Sequence, residues 1–294
     1  MSRFLNPRSD VVFKKIFGQH THLLISFLNS LLPLPPDGLI TSLEYLPTEQ
    51  IPNIPVLKRT IVDVKCIDQQ GQIFIVEMQI EWSSFFMQRM LFGASQAYVS
   101  QLSKGEEYEY LKPVYGLGLI AENFDSESPD FYHHYKIVNV EKPSRELKGL
   151  QFVFIELQKF KPNDQSQRRL QVLWLRFMSE INEKTRTVDP DLLAVPEIRE
   201  AIELSEQAVY TEAELAAYNT YWDTVSTEKT LMSEKYQKGK AEGKVEMLLF
   251  LLQHKFKIVP ESYYQEIQKA QPDRIQVWAE RVLSCSAIED VFKD

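Results

Sequence analysis

The first regular pattern along the chain follows Pro7 and the polar pair Ser9 and Asp10. In VVFKKIFGQHTHLLISFLNSLL, apolar residues fall at Phe13, Ile16, Phe17, Leu24, Phe27, Leu28 and Leu31, a spacing that gathers them on one side of a helix. Ser9 or Asp10 suits its N-cap, and the PLPP run at 33–36 ends it because proline brings no N–H. A proline-punctuated link from Pro47 to Pro55 leads into TIVDVKCID, then QQG, then QIFIVEMQI. Two runs rich in Ile, Val and Phe, separated by a short polar interval that ends in glycine, predict a β-hairpin. From Trp82 to about Ser103 the pattern is helical again and closes at Lys104 and Gly105. PVYGLGLIAEN, HYKIVNV and LQFVFIELQKF then read as three strands.

Beyond Lys161 the strand patterns stop. SQRRLQVLWLRFM, PEIREAIELSEQAV, EAELAAYNTYW and the run to His254 are helical, and DRIQVWAERVLSCSAIEDVF adds a closing helix. This order predicts an α/β (α+β) fold, a sheet covered by helices, with an all-helical C-terminal region appended. The expected divisions are a sheet domain over 1–160, a helical extension packing on it over 161–222, and a helical tail over 223–294. In the tail, Gly239 and Gly243 stand four apart within KYQKGKAEGKVEM. That spacing fits either a close-packing helix face or a solvated, charged helix.

Strand parity carries the chemistry, because alternate side chains share one face of a sheet. Ile73, Ile75, Glu77 and Gln79 share a face, and Phe74, Val76, Met78 and Ile80 share the other. The first face begins apolar and then changes to a carboxylate and an amide. A three-residue closure by Gln69, Gln70 and Gly71, with Gly71 left-handed, pairs Asp68 with Gln72. The same register sets Asp63 opposite Glu77 and Ile61 opposite Gln79. Opposed Cβ atoms lie only about 4.5–5.5 Å apart, so two like charges there need a raised pKa, a basic neighbour or a metal ion. Two carboxylates with positions open to water suit Mg2+ or Mn2+. The plainer alternative is a solvent-facing acid pair neutralised by Lys65, and a two-residue turn would break the pairing altogether.

Charge bears on what the chain can bind. The 294 residues carry a net charge of -8, which argues against a general nucleic-acid binder. The acidity is uneven, however. Residues 1–120 hold 10 Lys+Arg against 11 Asp+Glu, and residues 121–294 hold 23 against 30. Arg3, Arg8, Lys14 and Lys15 face only Asp10 within the first fifteen positions. One divalent ion would take the first part to about +1, so DNA is expected to approach the N-terminal part.

Cys66 and Cys285 stand far apart and outside any C-x-x-C spacing, which reads as two small buried hydrophobes. No apolar run approaches the roughly 18–20 residues that span a bilayer, so a cytoplasmic protein without membrane contact is expected. No glycine-rich nucleotide motif or G-x-S-x-G occurs, and no organic cofactor is expected. Gly116 and Gly118 read as backbone packing in a strand. His20 with His22, and His133 with His134, lack metal-site spacing and read as surface or satisfied histidines.

An opening helix, an Asp near the end of one strand, E-x-Q in the next and a following helix resemble the PD-(D/E)XK nuclease superfamily, with its restriction-endonuclease-like mixed central sheet. More narrowly, SDVVFKKIFG (9–18), TIVDVKC (60–66), FIVEMQ (74–79), the 89–98 helix, YLKPVYGLGLI (110–120) and FIELQKF (154–160) are similar to a recombination-promoting nuclease and transposase family. The ordered match covers about 6–180, and the stretch near 239–244 is similar to that family's tails.

The resemblance implies a Mg2+-dependent (or Mn2+-dependent) DNA endonuclease. It makes Asp63 and Glu77 metal ligands, with the Met78 carbonyl as a backbone ligand and Asp10 as a third acid, unless Asp10 simply caps its helix. Gln79 stands where the superfamily has lysine, and Val62 where it has the proline of the P-D pair. A neutral amide orients water or phosphate by hydrogen bonding and supplies no charge. Lys14 either pairs with Asp10 one turn before it or contacts a DNA phosphate, and Arg89 either contacts a phosphate or stands as an exposed helix charge. Lys15 and Lys65 would help to hold the backbone, and the helical tail permits a homodimer. The missing lysine and the overall acidity motivate the alternative, a catalytically weak DNA-binding or protein-interaction module that retains the nuclease fold.

Overall fold

The computed structural model describes residues 3–50, 60–103, 105–162 and 169–293. Two helices open it, α1 (Asp10–Phe17) and α2 (Thr21–Leu31). Strands β1 (Leu43–Tyr45), β2 (Glu49–Gln50), β3 (Thr60–Ile61), β4 (Val64–Asp68) and β5 (Ile73–Gln79) follow, then helix α3 (Phe86–Val99). Strands β6 (Val114–Ile120), β7 (Tyr132–Val138) and β8 (Glu146–Glu156) complete the sheet. After it come α4 (Arg169–Glu180), α5 (Pro190–Leu193), α6 (Pro196–Leu204), α7 (Glu212–Phe256), α8 (Glu261–Lys269), α9 (Pro272–Ser284) and α10 (Ile288–Val291).

The expected single opening helix is two. Ser9 is the N-cap, its hydroxyl accepting the Val12 N–H, and Gly18 closes α1 by donating its N–H to the Lys14 carbonyl at 2.8 Å. The physical reason for the break lies in the aromatic core. Ten residues of continuous helix would hold Phe17 and Phe27 about 15 Å apart along the axis, whereas their ring centroids stand 4.4 Å apart and both meet Trp174.

The six-stranded sheet runs β1-β4-β5-β6-β8-β7, with β5, β6 and β8 parallel and the other pairings antiparallel. Helix α3 is the crossover that a parallel β5–β6 pair requires. One sheet face, with Val64, Cys66, Phe74, Val76, Leu117, Leu119, Val153 and Ile155, packs against α1, α2, α4 and α6 in the larger core. The opposite face, with Ile73, Ile75, Val114, Ile120 and Phe154, packs against Phe86, Met90, Ala94 and Ala97 of α3.

The hairpin closes as expected. Gly71 has φ +81 and the Asp68 N–H reaches the Gln72 carbonyl at 3.0 Å. Val64 pairs with Val76 and Ile67 with Ile73, the expected register, but the ladder ends there, one pair short of Asp63 and Glu77. TIVDVKCID is nevertheless not one strand. It is interrupted at Val62 and Asp63, and Ile61 pairs with Glu49 instead of facing Gln79. The Val62 N–H goes to the Thr48 carbonyl at 3.2 Å, so the chain leaves β5 at this point to follow β2. Much of the proline-punctuated link before it, residues 51–59, lies outside the described residues.

The chain forms two compact units, one ending at Trp222 and the other beginning at Asp223, with the division inside α7. In the first, α4, α5 and α6 share the larger core with the sheet. The second has its own core of Leu248, Leu252, Ile267, Ile275, Trp278, Val282 and Val291. A Cβ added at Gly239 or Gly243 would meet nothing within 4 Å, so these glycines lie on a solvated stretch and form no close-packing face. Among the described residues no helix is long and apolar enough to cross a membrane.

Candidate functional site

Glu77 and Gln79 stand at the C-terminal end of β5, on the face that α3 covers. Glu77 is only 5% exposed. Its neighbour on β6 is Gly118, where an added Cβ would come 2.7 Å from Phe154 Cδ1 and 2.9 Å from Phe86 Cε1. Only glycine leaves room for those rings, and they make an apolar wall beside the carboxylate. Gly116 likewise makes way for Phe152 and Met90, so both glycines serve packing, as the sequence indicates.

Asp63 sits in the bend before β4, half-buried, and its Oδ2 accepts the Met78 N–H at 2.7 Å. That bond ties Asp63 to β5 where strand pairing has stopped. Burial pushes the Asp63 carboxyl above its ordinary range. The Met78 N–H opposes the shift, nearby Asp10 adds to it, and Lys14 and Arg89 draw it back. Burial also pushes Glu77 up, to about 7, with the Asp63 charge adding and Arg89 opposing. The two acids therefore feel one another in a poorly solvated corner, as the opposed register implies.

Arg89, in the first turn of α3, supplies the offsetting charge. One terminal nitrogen, Nη2, donates to Glu77 Oε2 at 3.1 Å and to Gln79 Oε1 at 2.7 Å. The guanidinium lies 5.2 Å from the Phe86 ring centroid and its side chain is 45% exposed. The Gln79 amide is held at its other end too, where Nε2 donates to the Glu81 carbonyl at 2.6 Å. Sequence reasoning expected Arg89 to meet phosphate and missed this contact. The available signal was the crossover topology, which lays the first turn of α3 over the acidic face of β5.

Asp10 and Lys14 form an i, i+4 ion pair of 2.7 Å, both about two-fifths exposed. The influence of both on Asp63 places the start of α1 near the acid pair. Lys15 is engaged elsewhere, with Glu214 at 2.8 Å and over the Tyr210 ring. Among the described residues no group of three Asp, Glu, His or Cys side chains is gathered closely enough to hold an ion. The four histidines of the two close pairs have partners, His22 with Glu200 and His133 with Glu156, each at 2.8 Å, His20 with the Lys15 carbonyl at 2.9 Å and His134 with Gln151 at 3.1 Å. Cys66 is buried and its thiol is pushed up to about 12, chiefly by burial, while Cys285 is half-buried.

The donor set fits a divalent ion such as Mg2+ or Mn2+. It offers oxygen only, brings two mutually repelling carboxylates together, and needs just one or two protein carboxylates because these ions keep several waters. The C-terminal end of a parallel strand is also where α/β sheets place their ligands.

A family model described as a PD-(D/E)XK nuclease family transposase matches residues 7–237. No curated protein and no solved structure matches the chain.

Proposed function

Because the chain belongs to the PD-(D/E)XK nuclease family transposases, we propose that it is a divalent-metal-dependent DNA endonuclease that hydrolyses phosphodiester bonds. The observation that carries the reading is half-buried Asp63, held on the Met78 N–H, beside buried Glu77 at the end of β5, both with raised pKa. Asp63 and Glu77 are the proposed ligands, with the Met78 carbonyl and, when released from Lys14, Asp10 as further oxygen donors. A bound Mg2+ or Mn2+ would neutralise the scissile phosphate and lower the pKa of water.

The chain's own residues do the positioning. Met78 N–H fixes the Asp63 carboxylate, and the Phe86 and Phe154 rings exclude water beside Glu77. Gln79 orients the attacking water by hydrogen bonding, in place of the lysine of related sites. Lys14 and Arg89 would meet backbone phosphates flanking the cut once released from Asp10 and Glu77. A catalytically weak DNA-binding module is the second reading, favoured by Gln79 at the lysine position.

Supercoiled plasmid incubated with Mg2+ and the wild-type protein should be nicked or linearised. Asp63→Ala and Glu77→Ala should leave it intact. Equal cleavage by all three proteins contradicts the reading, and no cleavage by any favours the second one.

A further inference from the structure

The Arg89 guanidinium stands directly against the carboxylate of Glu77, one of the two proposed metal ligands. Its Nη2 donates to Glu77 Oε2 at 3.1 Å, within hydrogen-bond range, and the same nitrogen donates to the Gln79 side-chain oxygen at 2.7 Å. Glu77 is 5% exposed, so its charge is poorly compensated by solvent, and Arg89 is the largest influence favouring its ionised form. A guanidinium and a divalent ion repel in such a corner, so each weakens the other's hold on the same carboxylate oxygen. The Arg89 side chain is nearly half exposed and rooted in the first turn of α3, so it has an outward path.

We propose that Arg89 is a displaceable latch. It holds Glu77 and Gln79 in place when no ion is bound, and it swings off when a divalent ion binds. The inference rests on the proposed metal centre and adds a competition within it. Departure of Arg89 frees two atoms together. Glu77 Oε2 becomes available to the ion, and Gln79 Oε1 becomes available to accept a hydrogen bond from the attacking water, while Gln79 Nε2 stays on the Glu81 carbonyl and keeps the amide oriented. The released guanidinium then reaches outward to a DNA phosphate, two of whose oxygens its planar fork can engage. Phosphate and ion therefore assist one another, because each draws on one side of the same exchange.

Mn2+ titration at pH 8, followed by calorimetry and by thermal unfolding, separates the possibilities for wild type, Arg89→Met and Arg89→Lys. The latch predicts Mn2+ binding roughly tenfold tighter in Arg89→Met, the effect of losing one charge-assisted bond that the ion must otherwise break. Arg89→Lys should fall between. Without metal, Arg89→Met should melt below wild type, and its Mn2+-induced gain in Tm should be the larger. Cleavage should move the other way and fall in Arg89→Met, since the phosphate contact is gone. Equal or weaker Mn2+ binding in Arg89→Met overturns the latch and leaves the metal centre standing. Failure of all three proteins to bind Mn2+ overturns both.

Discussion

Oδ2 of Asp63 accepts the backbone N–H of Met78 at 2.7 Å, fastening an acid that stands outside the sheet ladder to the strand that carries Glu77. The bond uses a main-chain donor, so it survives any change at Met78 except to proline, which has no N–H. It also fixes one carboxylate beside another at a cost in electrostatic energy, the kind of strain that sites conserve for function and cores avoid.

Asp63→Asn should therefore separate stability from activity. The amide keeps an oxygen for the Met78 N–H and removes the like charge beside Glu77. Urea denaturation without metal at pH 8 should show stability unchanged or raised by up to about 1 kcal/mol, while plasmid cleavage drops to background. A loss of several kcal/mol would mean that the Asp63 charge supports the fold.

The Glu77 carboxyl, pushed up to about 7, sets a pH dependence with a definite sign. The folded chain holds this proton more tightly than the unfolded chain does. Its contribution to stability is thus complete below about pH 4.5 and is lost as pH rises through about 7, a change on the order of 3 kcal/mol without metal. Glu77→Gln should flatten that slope and melt higher than wild type at pH 8. Because an ion has to displace the proton, the Mn2+-induced rise in Tm should be larger at pH 8 than at pH 6 and absent in Glu77→Gln. Differential scanning fluorimetry at the two pH values checks both.

Much of this site is legible in the sequence because strand parity and hairpin closure are local rules. Gly71 fixes the loop, and the loop fixes the register as far as Val64 and Val76, which brings Asp63 close to β5. What parity misses is set by distant partners. Val62 leaves the ladder for the Thr48 carbonyl, and the break at Gly18 follows from packing of Phe17 and Phe27 on Trp174. The Arg89 contact depends on where α3 crosses the sheet, which no local spacing encodes.

Gly118→Ala should destabilise the first unit by about 1–3 kcal/mol, since its Cβ would overlap Phe154 and Phe86. Chemical denaturation measures this directly. The same substitution displaces the wall beside Glu77, so residual cleavage should fall more than the folded fraction does.

Buried Glu156 accepts from Lys159 Nζ at 2.7 Å and from the Phe124 N–H at 2.7 Å, besides facing His133. Lys159→Met leaves that carboxylate without its permanent positive partner and should cost about 3 kcal/mol in urea denaturation. A loss below 1 kcal/mol would show that His133 and the backbone donors suffice.

The most direct measurement is a crystal structure of the protein grown with Mn2+ and examined for anomalous scattering. One peak is predicted at the end of β5, with a carboxylate oxygen of Asp63 and one of Glu77 each about 2.0–2.3 Å away and Arg89 turned off Glu77. A peak elsewhere, or none at this place in a crystal soaked to saturation, contradicts the account.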